Sequence, residues 1–465
     1  MLFMKFADCC DFYRNNILNN DSIYFRIILF SILAVPFLEL FGEAIYNVPF
    51  FLERTYLTFL GLAGCIVFGV NFFIQGKLKF IDVVYLVLLG LASISVVYSK
   101  STQYVPFFVP SGHLEELSHY YAYFFLFYCA TKIDIKKYGK YIFFALLMVA
   151  LLHNFFGVLQ LFGIRLSLSY NNQEMHEQLR CIYGLTSNCN FYAGIATIFT
   201  GLVYSIYLFS SKAKCWDFKY LFLIFIMPFC AICSGTRLGL LGVGVSFIFA
   251  FIIVVMVIMQ NRFTFLSKVK FISAIKSITA KDYILRFTNI LITLLLGFAL
   301  IYLFFPQLLV PSFGEFLADY QNLSNSGFDQ VGSFRGQVWR FVIEYLININ
   351  YFTGTGIGTF SDVFYTNPNL KDSPQIVNFA HNEYLHIFAT QGIVAFIVYI
   401  ALFTLSLFRC VRSISRSTCI DFIKSKSIVL FVLLAYMCQA FFNCNIFEVY
   451  FYFWILLGLA YLYEK

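Results

Sequence analysis

The chain has 465 residues, of which 60% are apolar and 21% aromatic while only 12% are charged; a water-soluble domain carries about a quarter charged residues. Arranged as repeated apolar runs near twenty residues, this composition excludes a large soluble domain. It gives an all-α integral membrane protein, because each run covers the roughly 30 Å hydrocarbon core as a helix.

In chain order the runs read as twelve spans: 24–42, 55–75, 80–98, 118–132, 141–163, 190–210, 219–234, 237–259, 286–305, 384–408, 427–443 and 446–463. Met1 to Asp21 mixes Lys5, Asp8, Asp11 and Arg14 with apolar residues and has no small-residue cleavage site, so the first span is expected to stay as an anchor. The spans are nearly free of charge at mid-depth, with Glu39 and Glu43 late in the first and His153 midway in the fifth.

Counting Lys and Arg on alternate sides places 24 of the 32 with the N-terminus, leaving Arg54, Lys100, Arg165, Arg180, Arg237, Arg335, Arg340 and Lys371 opposite. Inner loops carry the excess of cations, so the topology is N-in and C-in. The net charge of +8 is therefore mostly topological and calls for no nucleic acid. Thirteen cysteines without framework spacing read mostly as small packing residues, including the Cys230–Cys233 pair inside an apolar helix. Cys181 and Cys189 share an outer loop and are able to pair in an oxidising compartment.

Inner loops are short and basic, and Gln260 to Arg286 reads as an interfacial basic helix. One outer loop dominates, residues 306–382 between spans nine and ten, with turn signals (SNSGFDQVGS), a helix-like segment from Arg335 to Ile347, a glycine-rich turn (GTGIGTF) and an Asn/Pro cluster (TNPNLKDSP). The whole chain, 1–465, reads as a single polytopic domain.

Three outer clusters hold the unusual polar groups. SGTRLGLLGVG (234–244) lies within Tyr220 to Met259, forty residues with one charge, which as a single helix would be about 60 Å, twice the hydrocarbon thickness. The chain must turn back at Ser-Gly-Thr, which puts Arg237 at a helix N-terminus near the outer interface. There it either binds an anion with the free backbone N–H groups or snorkels to lipid headgroups. In SFRGQVWRFVIEYL (333–346), Ser333 is a candidate cap for a helix carrying Arg335 and Trp339 on one side, with Val342, Ile343 and Leu346 continuing an apolar stripe. GTGIGTF lacks the Lys-Ser/Thr of a nucleotide-binding loop and reads as a tight turn. In HNEYLHIFATQG (381–392), Asn382 caps a span while His381 stands at its outer end, able to take a proton at neutral pH or to serve structure alone. His386, one turn deeper, reads as packing.

These clusters, in this order before the tenth span, resemble the O-antigen ligase and O-antigen polymerase superfamily of bacterial envelope enzymes. The resemblance covers roughly 180–400 and is carried by SGTR at 234–237, RxxxW at 335–339, GTGIGTF at 354–360, HN at 381–382 followed by Gly392, and GLTSNCNFYAG at 184–194. Ala395 stands where ligases often carry a further Gly or small residue, which bears on ligase against polymerase.

The resemblance implies a glycosyltransferase in the bacterial inner membrane with its site facing the periplasm. It would move a glycan from undecaprenyl diphosphate to an acceptor hydroxyl, with inversion and without a metal or other cofactor. It implies catalytic roles for His381 as base and for Arg237 and Arg335 on the diphosphate, with Arg340, Asn382, Trp339 and Asn190 binding substrate. The expected partners are the lipid-linked donor, membrane lipids, and either lipid A core (ligase) or a second lipid-linked glycan (polymerase). A lipid-linked glycan flippase is the reading from another class, and apolar mid-sections speak against it.

Overall fold

Apolar segments in lipid must pair every backbone N–H and C=O internally, which a helix does. The computed structural model describes residues 21–46, 51–99, 115–164, 181–186, 188–210, 216–260, 278–325, 328–330, 332, 335–346, 351–366, 377–443 and 447–462. Met1 to Asn20, most of the basic loop after Gln260, Ser333 and the Asn/Pro cluster after Thr366 lie outside the described residues.

The described chain is helical, in this order: α1 (Asp21–Tyr46), α2 (Phe51–Gln75), α3 (Phe80–Val97), α4 (Leu117–Ala130), α5 (Ile135–Leu161), α6 (Cys189–Phe209), α7 (Phe218–Cys233), α8 (Arg237–Gln260), α9 (Ala280–Phe304), α10 (Pro306–Asn325), α11 (Arg335–Arg340), α12 (Phe360–Thr366), α13 (Glu383–Arg416), α14 (Ile420–Gln439) and α15 (Phe447–Tyr461). Each of the twelve apolar runs falls on one of these helices. Among the described residues nine, α1, α2, α3, α5, α6, α8, α9, α13 and α14, are long and apolar enough to cross a bilayer, so the protein is a multi-pass membrane protein. The helices α7 and α15 are shorter but apolar, and α4 has 14 residues.

Local chemistry starts these helices where the sequence suggests. Asp134, Asn188, Asp217, Thr279 and Asn382 each precede a helix and accept a hydrogen bond from one of its first backbone N–H groups, satisfying donors that have no partner within the helix. Cations close helix C-termini. Arg286 donates to the carbonyls of Tyr207, Leu208 and Ser210 at the end of α6, and Lys426 to those of Leu459, Ala460 and Leu462 at the end of α15. A positive group there answers both the orphan carbonyls and the negative end of the helix dipole.

The core is aromatic. Nearly every side chain of α4 is buried between α2, α3 and α15, with Phe124 edge-on to Trp454 at 4.9 Å and Tyr123 to Tyr450 at 5.2 Å between ring centroids. Such edge-to-face pairs suit the ring quadrupoles. Exposed Phe30, Phe59, Ile66, Phe73, Phe155 and Leu303 stand on the long helices, where a hydrocarbon solvent removes the penalty that water would impose.

Two features of the outer connection depart from the sequence reading. Its first part is the helix α10: α9 stops at Phe304 and Pro306 opens the next helix, the position where a missing N–H costs nothing. The segment from Arg335 is a six-residue α-helix followed by a π-helical turn over Phe341–Leu346. Val338, Phe341 and Val342 are buried against Phe360, Phe364, Val377 and Ala380, whereas Ile343, expected on the apolar stripe, is exposed. The i→i+5 bonding past Phe341 carries later residues off a 3.6-residue stripe.

The glycine-rich turn docks into a break in α13. Gly392 sits at φ 81°, the single non-helical residue in that helix. An uninterrupted helix would bond Ile393 N–H to the Ala389 carbonyl; here Ile393 donates to Tyr351 instead, while Ala389 and Thr390 accept from Thr355 and Gly356, each at 2.9 Å. The turn thus fills hydrogen bonds that the break opens.

Candidate active site

Arg237 is the first residue of α8. The turn before it forms as the sequence predicts: Gly235 takes the left-handed conformation at φ 64°, and Thr236 Oγ1 accepts from Gly239 N–H at 3.1 Å, a hydroxyl cap. Arg237 pairs with Asp319 of α10, whose other carboxylate oxygen accepts the Gly332 N–H at 2.8 Å. One carboxylate therefore ties the start of α8 to the turn leading into α11. Sequence reading missed Asp319, because it lies on a helix that had not been recognised.

Arg237, Arg335 and Trp339, 98 residues or more apart across the two elements, line one cleft of about 140 Å³ with Leu238, Leu241, Asp319, Phe328 and Phe442. Two guanidiniums against one carboxylate leave a net positive lining, set in an otherwise apolar wall. Such a place favours an anion, and a forked guanidinium matches phosphate oxygens. Trp339 stands between Phe328 and Phe442, with ring centroids 6.1 and 6.2 Å away, and its indole N–H donates to the Ala380 carbonyl at 2.9 Å.

That bond brings the third cluster to the cleft's edge, since Ala380 precedes His381. His381 has φ 50°, the one non-glycine residue with positive φ among those described. It is partly exposed, and burial of the ring, with the positive charge of Arg335 next, holds its pKa down at about 3. The imidazole is neutral at physiological pH. Asn382 is the N-cap, its side chain accepting from Leu385 N–H at 3.0 Å, so its role in the fold is the cap the sequence predicts. Buried Glu383 holds the first turn of α13 through Tyr399 and Tyr436.

Two other candidates stand apart from the cleft lining. Arg340 Nε pairs with Asp329 at 3.0 Å, on a different side of α11 from Arg335 and Trp339. Asn190 is the second residue of α6, where its backbone N–H donates to Asn188. The segment before it is fixed by other means: Cys181 and Cys189 form a disulfide, Gln160 bonds the backbone of Tyr183 and Gly184, and His153 accepts from Leu185 N–H. His153 and Gln160 thereby satisfy irregular backbone with side chains.

His386 is fully buried and bonded to Glu115 at 2.7 Å. Among the described residues no group of three or more His, Cys, Asp or Glu has the arrangement of a metal site.

A model of the family described as O-Antigen ligase matches residues 222–400. That interval includes Arg237, Arg335, Trp339, Arg340, His381, Asn382 and Gly392, and excludes Asn190. No curated protein matches the chain.

Proposed function

We propose that the chain, which matches the O-antigen ligase family model over residues 222–400, is a member of that superfamily and an inverting glycosyltransferase of the bacterial inner membrane, using an undecaprenyl-diphosphate glycan donor. The observation that carries the reading is the shared cleft of Arg237, Arg335 and Trp339, with Trp339 bonded to the residue before His381.

In this reading the donor diphosphate lies between the two guanidiniums. The acceptor oxygen attacks the anomeric carbon as its proton passes to His381, the bond from that carbon to the diphosphate oxygen breaks, and the charge that grows on the leaving diphosphate rests on Arg237 and Arg335. The guanidiniums take the part that a divalent ion plays at other phosphate sites, so chelator is expected to leave the rate unchanged. A free imidazole at about 3 is a weak base; an anion beside Arg335 offsets its charge and raises the imidazole's pKa toward the working range. Trp339 packs at the donor, and Asn382 fixes the start of α13. Arg340 and Asn190 are left without a substrate role.

All twelve apolar helices cross the membrane in this proposal, with both termini inside and the cleft on the periplasmic side. The Cys181–Cys189 disulfide supports an oxidising compartment at that end. The acceptor proposed is lipid A core. Purified protein given donor with and without core tests it: product only with core is expected, and chain growth from donor alone would make it a polymerase.

The roles are tested in the same assay. His381→Ala should lower kcat by about a hundredfold to ten-thousandfold, the scale of a general base, and normal turnover would remove the base. Arg237→Lys and Arg335→Lys keep charge but lose the fork, so each should cost more than about tenfold in kcat/KM; unchanged donor affinity in both would reject the diphosphate assignment.

A further inference from the structure

The backbone at His381 is held in the left-handed conformation, uncommon for residues other than glycine, and the groups that hold it can be followed outward. A non-glycine residue at positive φ persists where its surroundings over-determine it. Both peptide groups of the preceding residue are engaged. The Ala380 carbonyl accepts from Trp339, and the Ala380 N–H donates to His386 Nδ1 at 3.3 Å. An N–H can only donate, so Nδ1 is the acceptor and the ring proton lies on Nε2. Nε2 faces Glu115 Oε2 at 2.7 Å, while Glu115 Oε1 accepts from the Tyr120 hydroxyl at 2.8 Å. The imidazole of His386 is fully buried and lies against the tilted rings of Phe360 and Phe379, with centroids 5.4 and 5.3 Å away.

We propose that Glu115 and His386 are positioning residues: the carboxylate fixes the tautomer of His386, and His386 fixes the Ala380 peptide that aims His381 at the reacting oxygen. The arrangement is a carboxylate, an imidazole and a peptide N–H in series, and it draws on a segment 271 positions away in sequence. The inference rests on the proposed role of His381 as base. A buried hydrogen bond kept for structure alone is the competing explanation, and the two differ in what they do to turnover.

The experiment is steady-state transfer with purified protein and lipid-linked donor, comparing His386→Ala, His386→Asn, Glu115→Ala and Glu115→Gln. Both alanine variants should lower kcat by about tenfold to a hundredfold, the cost of a displacement near 1 Å, with donor KM within about threefold of the parent. Glu115→Gln keeps an oxygen for Nε2 and His386→Asn keeps one for the Ala380 N–H; each should recover most of the loss relative to its alanine counterpart, and these two read out the proposal if an alanine variant fails to fold. In a His381→Ala background, His386→Ala should lower residual turnover no further, because both act on one event. A folded His386→Ala enzyme with normal kcat overturns the proposal, as does a loss confined to KM or an equal further loss in the His381→Ala background. Failure of the underlying reading looks different: His381→Ala would itself turn over normally.

Discussion

A methyl group at Gly392 should undo the docking of the glycine-rich turn into α13. A Cβ built there lies 2.2 Å from the Phe352 carbonyl oxygen and 2.7 Å from Thr353 N, both backbone atoms that a rotamer change cannot move. The φ of 81° adds the cost of a left-handed alanine, about 1–2 kcal/mol. The three hydrogen bonds across the seam, Thr355 to Ala389, Gly356 to Thr390 and Ile393 to Tyr351, contribute about 1 kcal/mol each. Gly392→Ala should therefore shift the docking equilibrium by about 4 kcal/mol, close to a thousandfold.

Hydrogen–deuterium exchange of the detergent-solubilised protein reads this directly, as faster exchange at Thr355, Gly356 and Ile393. Gly314→Ala is the control, since a Cβ at that exposed helical glycine meets nothing within 4 Å and alanine is the better helix former. Because the seam lies ten residues from Asn382, turnover should fall with docking. Exchange at the three amides within about threefold of the parent, with turnover intact, would refute the argument that the turn fills the broken helix.

His381 sets the pH dependence. Its pKa of about 3 in the fold lies below the ordinary value near 6.5, so the unfolded chain takes up a proton that the fold refuses. The stability this group gives is present above about pH 6.5 and is lost as pH falls toward about 3. In kcat/KM it should add no acid limb above about pH 4; Arg335→Gln removes a positive neighbour and should move that limb upward, and a limb that stays or moves down would contradict it. Asp319→Ala releases both Arg237 and the Gly332 N–H and should cost about tenfold in kcat/KM, the scale of one charged hydrogen bond. Asp319→Asn keeps an acceptor and should lose less; steady-state rates equal to the parent in both would show the clamp to be dispensable.

Much of this protein was determined locally and could be read without a fold. Hydropathy set the helices because lipid leaves the backbone no alternative, and short polar side chains marked their starts, as Thr236 and Asn382 do. The turn that places Arg237 at a helix N-terminus followed from length alone, since forty apolar residues exceed one crossing. Each of these rests on residues within a few positions of one another.

What the sequence withheld are pairings between distant segments. Nothing near Asp319 announces Arg237, and the polar, amphipathic run that begins at Pro306 reads as loop until the tertiary structure gives it a face to pack on. GTGIGTF and Gly392 were visible as two separate glycine signals; only their docking explains why one helix breaks where another segment turns. Arg335 and Arg340 both read as substrate contacts on one short helix, and packing of Val338, Phe341 and Val342 decides which side meets the cleft. Glu115 reaches His386 for the same reason: helix packing decides which side chains meet, and local pattern carries no record of partners that lie across the bundle.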